Sequence, residues 1–115
     1  MISQLYNRAL VKDNEVPWKQ AAPGVQRKIM SYNESIMLVK VKFDPGAIGV
    51  LHHHPHLQMS YVARGRFEVV MGAEKKVLQE GDVYFALPDV THGVVCLEEG
   101  ILIDVFSPAR EDFLI

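Results

Sequence analysis

Short runs of apolar residues, many of them alternating with polar residues, are separated along this chain by turn-forming residues. Alternation with a period of two is typical of a half-buried β-strand, and no long stretch keeps the spacing of an amphipathic helix. Turn-forming residues lie between the runs, and turns are predicted among other places at Asp44-Pro45-Gly46, Gly65 and Glu98-Glu99-Gly100. The pattern therefore predicts an all-β barrel or sandwich. The nine predicted strands cover residues 25–31, 35–43, 49–54, 58–64, 66–71, 75–78, 83–87, 92–96 and 101–106.

The 115 residues have the length of one ordinary domain, and the predicted strands with their tight turns leave no room for a second. The first residues are less regular and contain Pro17 and Pro23. We therefore expect an N-terminal arm over residues 1–24, lying across the barrel or a partner subunit. A single barrel domain is expected over residues 25–115.

Composition and charge argue against several classes of protein. The net charge is −2 and the lysines and arginines are scattered, so we expect no nucleic-acid partner. No run approaches the ~20 apolar residues of a membrane helix, so we expect no membrane partner. The single cysteine, Cys96, cannot form an internal disulfide, and the first ten residues lack the apolar run of a signal peptide. A cytoplasmic location is therefore expected.

The segment His52-His53-His54-Pro55-His56 carries the most informative chemistry. Residues two apart in a strand share a face, so His52 and His54 should point the same way and His53 away. The turn at Pro55 leaves the direction of His56 open. A solvated polar turn is the alternative interpretation, but the spacing favours a site.

A third imidazole is available at His92, which follows the predicted strand 83–87. Imidazole is the commonest metal ligand in proteins, and two imidazoles on one face with a third from elsewhere make a metal site. The sequence therefore predicts one divalent transition metal ion held by His52, His54 and His92. Nitrogen ligands of this kind suit Ni, Zn, Fe or Mn, and the sequence does not choose among them.

At this point the sequence resembles the cupin superfamily. The first cupin motif is a glycine, five residues, His-x-His, three or four residues, a glutamate, six residues and a glycine. At matching intervals this chain has Gly46, His52, His54, Gln58 and Gly65. The resemblance implies a small single-domain cupin, which is a jelly-roll β-barrel.

The second cupin motif is degenerate. Gly81 and His92 match it at the expected spacing, whereas Leu87, Asp89 and Cys96 stand where the motif has proline, glycine and asparagine.

Gln58 stands where cupins usually have a glutamate ligand. The resemblance therefore implies a metal set of His52, His54, Gln58 and His92. Because these ligands are neutral, the ion would keep its full charge, which favours an anionic oxygen ligand. Dioxygen chemistry is disfavoured, since non-haem iron oxygenases usually supply a carboxylate. Alternatively, Gln58 only bonds a neighbouring backbone and leaves three histidine ligands.

From about residue 24 to residue 113 the chain also resembles the KdgF-type cupins of pectin and alginate degradation. The matching segments are HHHPHLQ (52–58), SYV (60–62), FEV (67–69), GDVYF (81–85), HGV (92–94) and DVFSPAREDF (104–113). Leu87 and Thr91 depart from the subgroup, in which prolines are commoner. The resemblance implies a metal-dependent isomerase-type enzyme that linearises 4,5-unsaturated monouronates, so its partner would be a small-molecule sugar acid. Pectin and alginate both remain open as the source.

Within this resemblance Asp104, Phe106 and Arg110 would line the sugar pocket. Asp104 would act as general acid and base, Phe106 would pack on the ring, and Arg110 would pair with the carboxylate or orient the hydroxyls. By parity Leu102, Asp104 and Phe106 share one face of the last strand. The alternatives are a structural salt bridge at Asp104 and a solvated or subunit-bridging Arg110.

The opposite face of that strand carries Ile101, Ile103 and Val105. Together with the N-terminal arm, this apolar face predicts a homodimer, the commonest symmetric assembly. Two further functions stay open. One is a non-catalytic sugar-binding cupin, and the other is a different metal-dependent cupin enzyme, such as a sugar isomerase or a dioxygenase.

Overall fold

Antiparallel strands form the fold in a computed structural model that describes residues 8–114. The strands of this part of the chain are β1 Lys19–Ala22, β2 Val25–Tyr32, β3 Met37–Phe43, β4 Ile48–His52, β5 Leu57–Met71, β6 Glu74–Gln79, β7 Val83–Ala86 and β8 His92–Ser107. Two short 3-10 helices lie at Asp13–Glu15 and Glu111–Phe113. The predicted all-β fold is confirmed.

The sheet is built around its two longest strands, β5 and β8. The order of hydrogen-bonded neighbours is β1-β2-β3-β8-β5-β6, with β4 paired to β8 and β7 paired to β5. On β5, Gln58 lies opposite Phe106 of β8. Met71, which is 13 residues further along β5, lies opposite His92. A flat ribbon would separate these ends by roughly 40 Å, but side-chain atoms of Gln58 and His92 are 3.1 Å apart. The β5–β8 ribbon therefore folds over itself and closes the barrel.

The fold in this ribbon explains why two predicted turns are wrong. The turns expected at Gly65 and at residues 98–100 lie inside β5 and β8, which continue through them. The register shifts between Val62 and Phe67, and Gly65 has a φ of 84°. A Cβ atom on Gly65 would lie 2.5 Å from the carbonyl oxygen of Glu99. These positions are bulges that bend paired strands, and glycine is needed because the partner backbone is so close.

Strand β1 was not among the predicted strands. Its residues, Lys-Gln-Ala-Ala, are mostly exposed and show no alternation, because β1 is an edge strand that packs little apolar surface. It pairs with β2 across a turn at Gly24, whose φ is 71°. The predicted strand over residues 49–54 also differs, since β4 ends at His52 and leaves His54 in a loop.

The core follows one face of the curved sheet. Strand β3 alternates between buried and half-buried residues along its whole length, and β8 does so in its second half. The largest fully buried apolar side chains are Phe67, Met37, Leu102, Val39 and Val62. The same inward faces continue into buried polar residues, namely His54, Gln58, Ser60, His92 and Asp104. Polar groups this deep need partners, and their partners define the site.

The segment before β1 is fastened to β2 by a buried lysine. The Lys28 ammonium donates to the carbonyl oxygens of Asp13 and Val16, at 2.9 and 3.2 Å, and pairs with the Asp13 carboxylate at 2.9 Å. Residues 1–7 of the expected arm, and residue 115 of the expected barrel, lie outside the described residues. The boundary at residue 24 stays a prediction. Within residues 8–114 no helix is long and apolar enough to cross a membrane.

Candidate metal centre and active-site cavity

Three imidazoles meet inside one end of the barrel. His52 ends β4 and His92 begins β8, and the two residues are cross-strand partners. His54 reaches them from the loop after β4. The ring centres are 4.5 Å apart for His52 and His92, 4.9 Å for His54 and His92, and 5.4 Å for His52 and His54. One ring nitrogen from each lies within 4.8 Å of the others, so the three histidines could hold a metal ion. Their predicted convergence is confirmed.

The backbone fixes which ring nitrogen carries the proton. Each Nδ1 lies at hydrogen-bond distance from a main-chain carbonyl oxygen, which can only accept. Each Nδ1 therefore donates, and each neutral ring presents the lone pair of Nε2. The bonds run from His52 to Val50 at 2.7 Å, from His54 to His56 at 3.0 Å and from His92 to Val90 at 2.9 Å. Burial also lowers the pKa of His92, which favours its neutral form.

Gln58 adds an oxygen to the same point. Its Oε1 lies 2.9 Å from Nε2 of His54 and 3.1 Å from Nε2 of His92. The amide nitrogen donates to Ser60 Oγ at 3.0 Å and to the Tyr84 hydroxyl at 3.2 Å. Ser60 Oγ in turn donates to Asp104 Oδ1 at 2.6 Å. Because an ionised Asp104 accepts only, this chain fixes the amide with its oxygen toward the imidazoles.

The side chains of this cluster fit a cation. Lone pairs on an amide oxygen and two imidazole nitrogens face each other at hydrogen-bond distance without a proton between them. Such groups repel unless a positive charge lies among them. Three nitrogens and one neutral oxygen form a donor set that divalent transition metals accept. Within residues 8–114 the hydrogen bonds of the Gln58 amide go to side chains and not to the backbone.

Asp104 is buried beside this cluster. Only 8% of the residue is exposed, and it lies opposite Ser60 on β5 and Val39 on β3. Burial raises the pKa of the Asp104 carboxyl to about 6, against the smaller opposing effects of the Ser60 hydrogen bond and the Arg110 charge. Burial also raises the pKa of Tyr84, which stays a neutral hydroxyl.

The second half of β8 alternates between buried and half-buried residues. Leu102, Asp104 and Phe106 are all buried while their neighbours are half-buried, so the predicted parity is confirmed. Within residues 8–114 Asp104 forms no ion pair, so the salt bridge considered for it is not found there.

A cavity of about 260 Å³ opens beside the three imidazoles. This volume is slightly below the ~300–1,000 Å³ typical of ligand pockets, so it suits a single sugar ring. The chemically relevant side chains in its wall are His52, Gln58, Asp104, Phe106, Arg110 and Arg27. The three residues expected to line a sugar pocket, Asp104, Phe106 and Arg110, therefore line the same cavity. Their roles in binding and catalysis stay predictions.

Arg110 has a partner that the sequence did not reveal. Its Nε and Nη2 donate to the two carboxylate oxygens of Asp112, at 3.0 and 2.8 Å. Its guanidinium carbon lies 4.3 Å from the ring centre of Phe113 and 5.1 Å from that of Phe106. Arg110 therefore lines the cavity while its Nε and Nη2 donors are already bound to Asp112.

His56 lies beside the three-histidine cluster and not in it. Its ring centre is 5.5 Å from that of His54, and its carbonyl oxygen accepts the His54 Nδ1 proton. His53 points away as predicted, with Nδ1 3.7 Å from the Asp89 carboxylate. Ser60 and Tyr84 were missed. The two-residue spacing of Gln58 and Ser60 on one strand could have identified Ser60.

A barrel with a three-histidine cluster at one end defines a class of protein, and similarity to known proteins identifies that class. A family model described as a cupin domain matches residues 39–106, which is more than half of the chain. The chain therefore belongs to the cupin family, and the predicted resemblance is confirmed.

Within that family the similarity is to KdgF proteins. The chain is 51% identical over 104 residues to pectin degradation protein KdgF of Dickeya dadantii (strain 3937), covering 89% of this chain and 94% of the relative. The solved structure of KdgF from Halomonas sp. is 41% identical, with a TM-score of 0.89 over 93% of this chain and 99% of that one. An RmlC-like cupin from Shewanella frigidimarina NCIMB 400 is 42% identical, with a TM-score of 0.92 over 95% and 98%. The chain is thus a KdgF-type cupin.

Proposed function

We propose that this chain is a metal-dependent enzyme that linearises 4,5-unsaturated monouronates, the small products of pectin or alginate lyases. One observation carries the proposal. Four lone-pair donors converge beside a sugar-sized cavity whose wall includes His52 and Gln58, and a hydrogen-bonded chain connects them to the buried carboxylate of Asp104. The similarity to a pectin degradation protein supports this substrate class.

The proposed metal ligands are His52, His54, Gln58 and His92. Their neutral donor set leaves the charge of the ion uncompensated, and His52, which is exposed and lines the cavity, leaves access to the ion. When bound, a divalent ion would act as a Lewis acid toward negative charge that develops on a substrate oxygen. Ni, Zn, Fe and Mn all suit these ligands.

The reaction requires proton transfers that this chain can supply. The substrate is a cyclic hemiacetal with a C4=C5 double bond beside its carboxylate. Ring opening removes the proton of the C1 hydroxyl and breaks the bond between C1 and the ring oxygen, giving an aldehyde and an enolate at C5. Protonation at C4 then gives the 5-keto acid, with no net gain or loss of atoms. Asp104 is the proposed group that accepts and returns the proton.

The surrounding side chains hold the acid and the sugar in place. Ser60 donates to Asp104 and accepts from Gln58, so it fixes the distance between the carboxylate and the metal ligands. Phe106 is the proposed packing surface for the sugar ring, and Arg110 is proposed to orient the substrate beside it. Placing the reacting groups in this way reduces the entropic cost of the reaction.

The test follows the absorbance of the 4,5-unsaturated chromophore. A 4,5-unsaturated monouronate is incubated with metal-loaded protein, with chelated protein and with buffer. Faster loss of absorbance with metal-loaded protein alone is expected. If the metal-loaded protein binds the uronate but leaves the absorbance at the buffer rate, the chain is a sugar-binding cupin. Oxygen consumption during the reaction would instead indicate a dioxygenase.

The proposed assembly is a homodimer through the outer face of β5, β7 and β8. Met59, Tyr61, Val83 and Phe85 are each about half exposed there, and Met59 and Tyr61 lie opposite Val105 and Ile103. A contiguous apolar patch on one face of a sheet is typical of an interface, and a self-complementary two-fold contact would cover it.

Light scattering at micromolar concentration should therefore give twice the chain mass. Met59→Glu should shift the mass to that of one chain. Val77→Glu, at a similarly exposed apolar residue on β6, is the matched control and should leave the dimer intact. A monomeric mass for the unaltered protein would reject the dimer.

The proposed location is the cytoplasm. Its support is Cys96, the single cysteine of the chain, which is buried as a free thiol. Measuring the protein in cell fractions prepared under native conditions tests this assignment.

A further inference from the structure

Arg27 lies in the wall of the cavity without a bound partner in the described part of the chain. It lies opposite Val41 on β3, whose other neighbour is Leu102 on β8, so its side chain starts from the inward face of the sheet. Arg27 is half-buried and lines the same cavity as Asp104 and Phe106. Within residues 8–114 its guanidinium makes no hydrogen bond and no ion pair.

The orientation of this guanidinium comes from an aromatic ring. The guanidinium carbon of Arg27 lies over the ring of Phe113, 3.7 Å from the ring centre, so the cation contacts the ring face. The Phe113 ring lies 5.6 Å from that of Phe106, and Phe106 lies 5.8 Å from the His54 ring. A continuous row of rings therefore connects Arg27 to the metal cluster. A contact with a ring face uses none of the guanidinium N–H donors, so they can still bind a ligand.

Two guanidiniums share one side of the cavity, and the carboxylate nearest to them is already paired. Arg27 and Arg110 lie against the same Phe113 ring, while a single carboxylate, that of Asp112, pairs with Arg110. Burial lowers the pKa of Arg27; the charge of Asp112 opposes this effect and the charge of Arg110 adds to it. A half-buried guanidinium is costly without a counter-ion, so an anionic ligand would be favoured there.

We propose that Arg27 binds the carboxylate of the sugar-acid substrate and so determines its specificity for an anionic sugar. This inference rests on the proposed function and deepens it. Arg110 donates Nε and Nη2 to Asp112, so it orients the substrate beside Phe106 and holds the Phe113 ring against Arg27 without pairing with the carboxylate. The carboxylate-binding role that the sequence led us to consider for Arg110 passes to an arginine 83 positions earlier in the chain.

The experiment compares an acid with its neutral ester. Metal-loaded wild type, Arg27→Met and Arg27→Lys are assayed with a 4,5-unsaturated monouronate and with its methyl ester. Arg27→Met should raise KM for the acid by about tenfold to a hundredfold, the range for losing a hydrogen bond to a charged group, with kcat changed little. The KM for the ester should stay within about twofold. Arg27→Lys should recover part of the loss, because it keeps the charge but not the planar fork.

Lys19→Met is the matched control. Lys19 lies opposite Arg27 on β1, is exposed and is not part of the cavity wall, so the variant removes the same charge from the neighbouring strand. It should leave both KM values unchanged. A similar rise in KM for the acid in Lys19→Met would show that only the overall charge matters, which overturns the proposal.

Two further outcomes would overturn it. If Arg27→Met lowers the melting temperature but leaves KM for the acid unchanged, the residue only holds Phe113. If KM rises equally for acid and ester, Arg27 shapes the cavity and does not recognise charge. Should Arg27→Met fail to fold, the acid-to-ester ratio of KM in Arg27→Lys decides, and an unchanged ratio rejects the proposal.

The proposed function can fail separately. If the metal-loaded wild type does not turn over the unsaturated uronate, calorimetric binding of galacturonate and of its methyl ester to wild type and Arg27→Met still tests the arginine. A loss of affinity for galacturonate alone would keep the Arg27 inference while the enzymatic function falls. Equal affinities in the two proteins would reject the inference.

Discussion

Replacing Asp104 by asparagine separates its catalytic role from its place in the fold. Asparagine has nearly the same shape, and its side-chain oxygen can still accept the proton of Ser60 Oγ, 2.6 Å away in the unaltered protein. The amide orientation of Gln58 should then persist, and with it the metal set. What the variant loses is a group that can take up and release a proton at neutral pH. We expect turnover of the unsaturated uronate to fall by at least ~100-fold, the lower end for a lost general acid or base.

The same variant should change how stability depends on pH. Folding raises the pKa of Asp104 from 3.8 to about 6, so the folded protein binds more protons than the unfolded chain between these values. Stability from this group is therefore present below about pH 4 and is lost as the pH rises through about 6, by roughly 3 kcal/mol in total. Asparagine does not titrate. The stability of Asp104→Asn relative to wild type should therefore rise by about that amount between pH 4 and pH 8.

Both expectations can be measured on the same preparations. Urea unfolding of chelated wild type and variant at pH 4, 6 and 8 gives the stability difference, and the chromophore assay of the metal-loaded proteins gives turnover. Equal metal content is the control for an intact ligand set. Turnover within a few-fold of wild type would refute the proton-transfer role. A stability difference that does not change with pH would refute the inference that burial holds the carboxyl neutral in weak acid.

Two other predictions follow from the site and the N-terminal segment. Chelation or His52→Ala should remove the metal, as measured by elemental analysis. The barrel should stay folded, because the apolar core does not depend on the ligands. Absence of bound metal after reconstitution of the wild type would contradict the metal site. Hydrogen bonds from Lys40 and then Lys28 lower the pKa of Asp13 from 3.8 to about 2, so its contribution to stability is present above about pH 4 and is lost as the pH falls through about 2. Asp13→Asn should therefore be less stable than wild type in urea at pH 5, and the difference should disappear near pH 2; a constant difference would show that the charge is not responsible.

The sequence identified the features that depend on neighbouring residues in one strand. The alternation in β3 and in the second half of β8 predicted which side chains turn inward, and Asp104 and Phe106 do so. The convergence of His52 and His54 was also predicted, but the prediction assumed that both residues lie on one strand. β4 ends at His52, and His54 is directed inward by a loop in which its Nδ1 donates to the carbonyl oxygen of His56.

The features that the sequence did not reveal depend on pairing between distant segments. Arg27 and Phe113 are 86 positions apart, and no spacing rule connects them. Strand β1 lies at the edge of the sheet, pairs with β2 and is mostly exposed. It buries little apolar surface, so its sequence shows no apolar alternation. A glycine within a long paired strand has the same local sequence as a glycine in a turn, which is why β5 and β8 were each divided in two.

The bend in the β5–β8 ribbon connects the fold to the chemistry. His92 and Asp104 lie on one strand, 12 positions apart, yet both are linked through Gln58 and Ser60 to a single hydrogen-bonded cluster. Only a ribbon that folds back on itself can bring its two ends together, and the register shifts around Gly65 provide that fold. Side chains alternate between faces, so a slip of one residue at the bulge would turn every inward polar group in half of the ribbon outward. The metal ligands and the acid therefore share one structural determinant, the close contact of Gly65 with the backbone of residues 98–100.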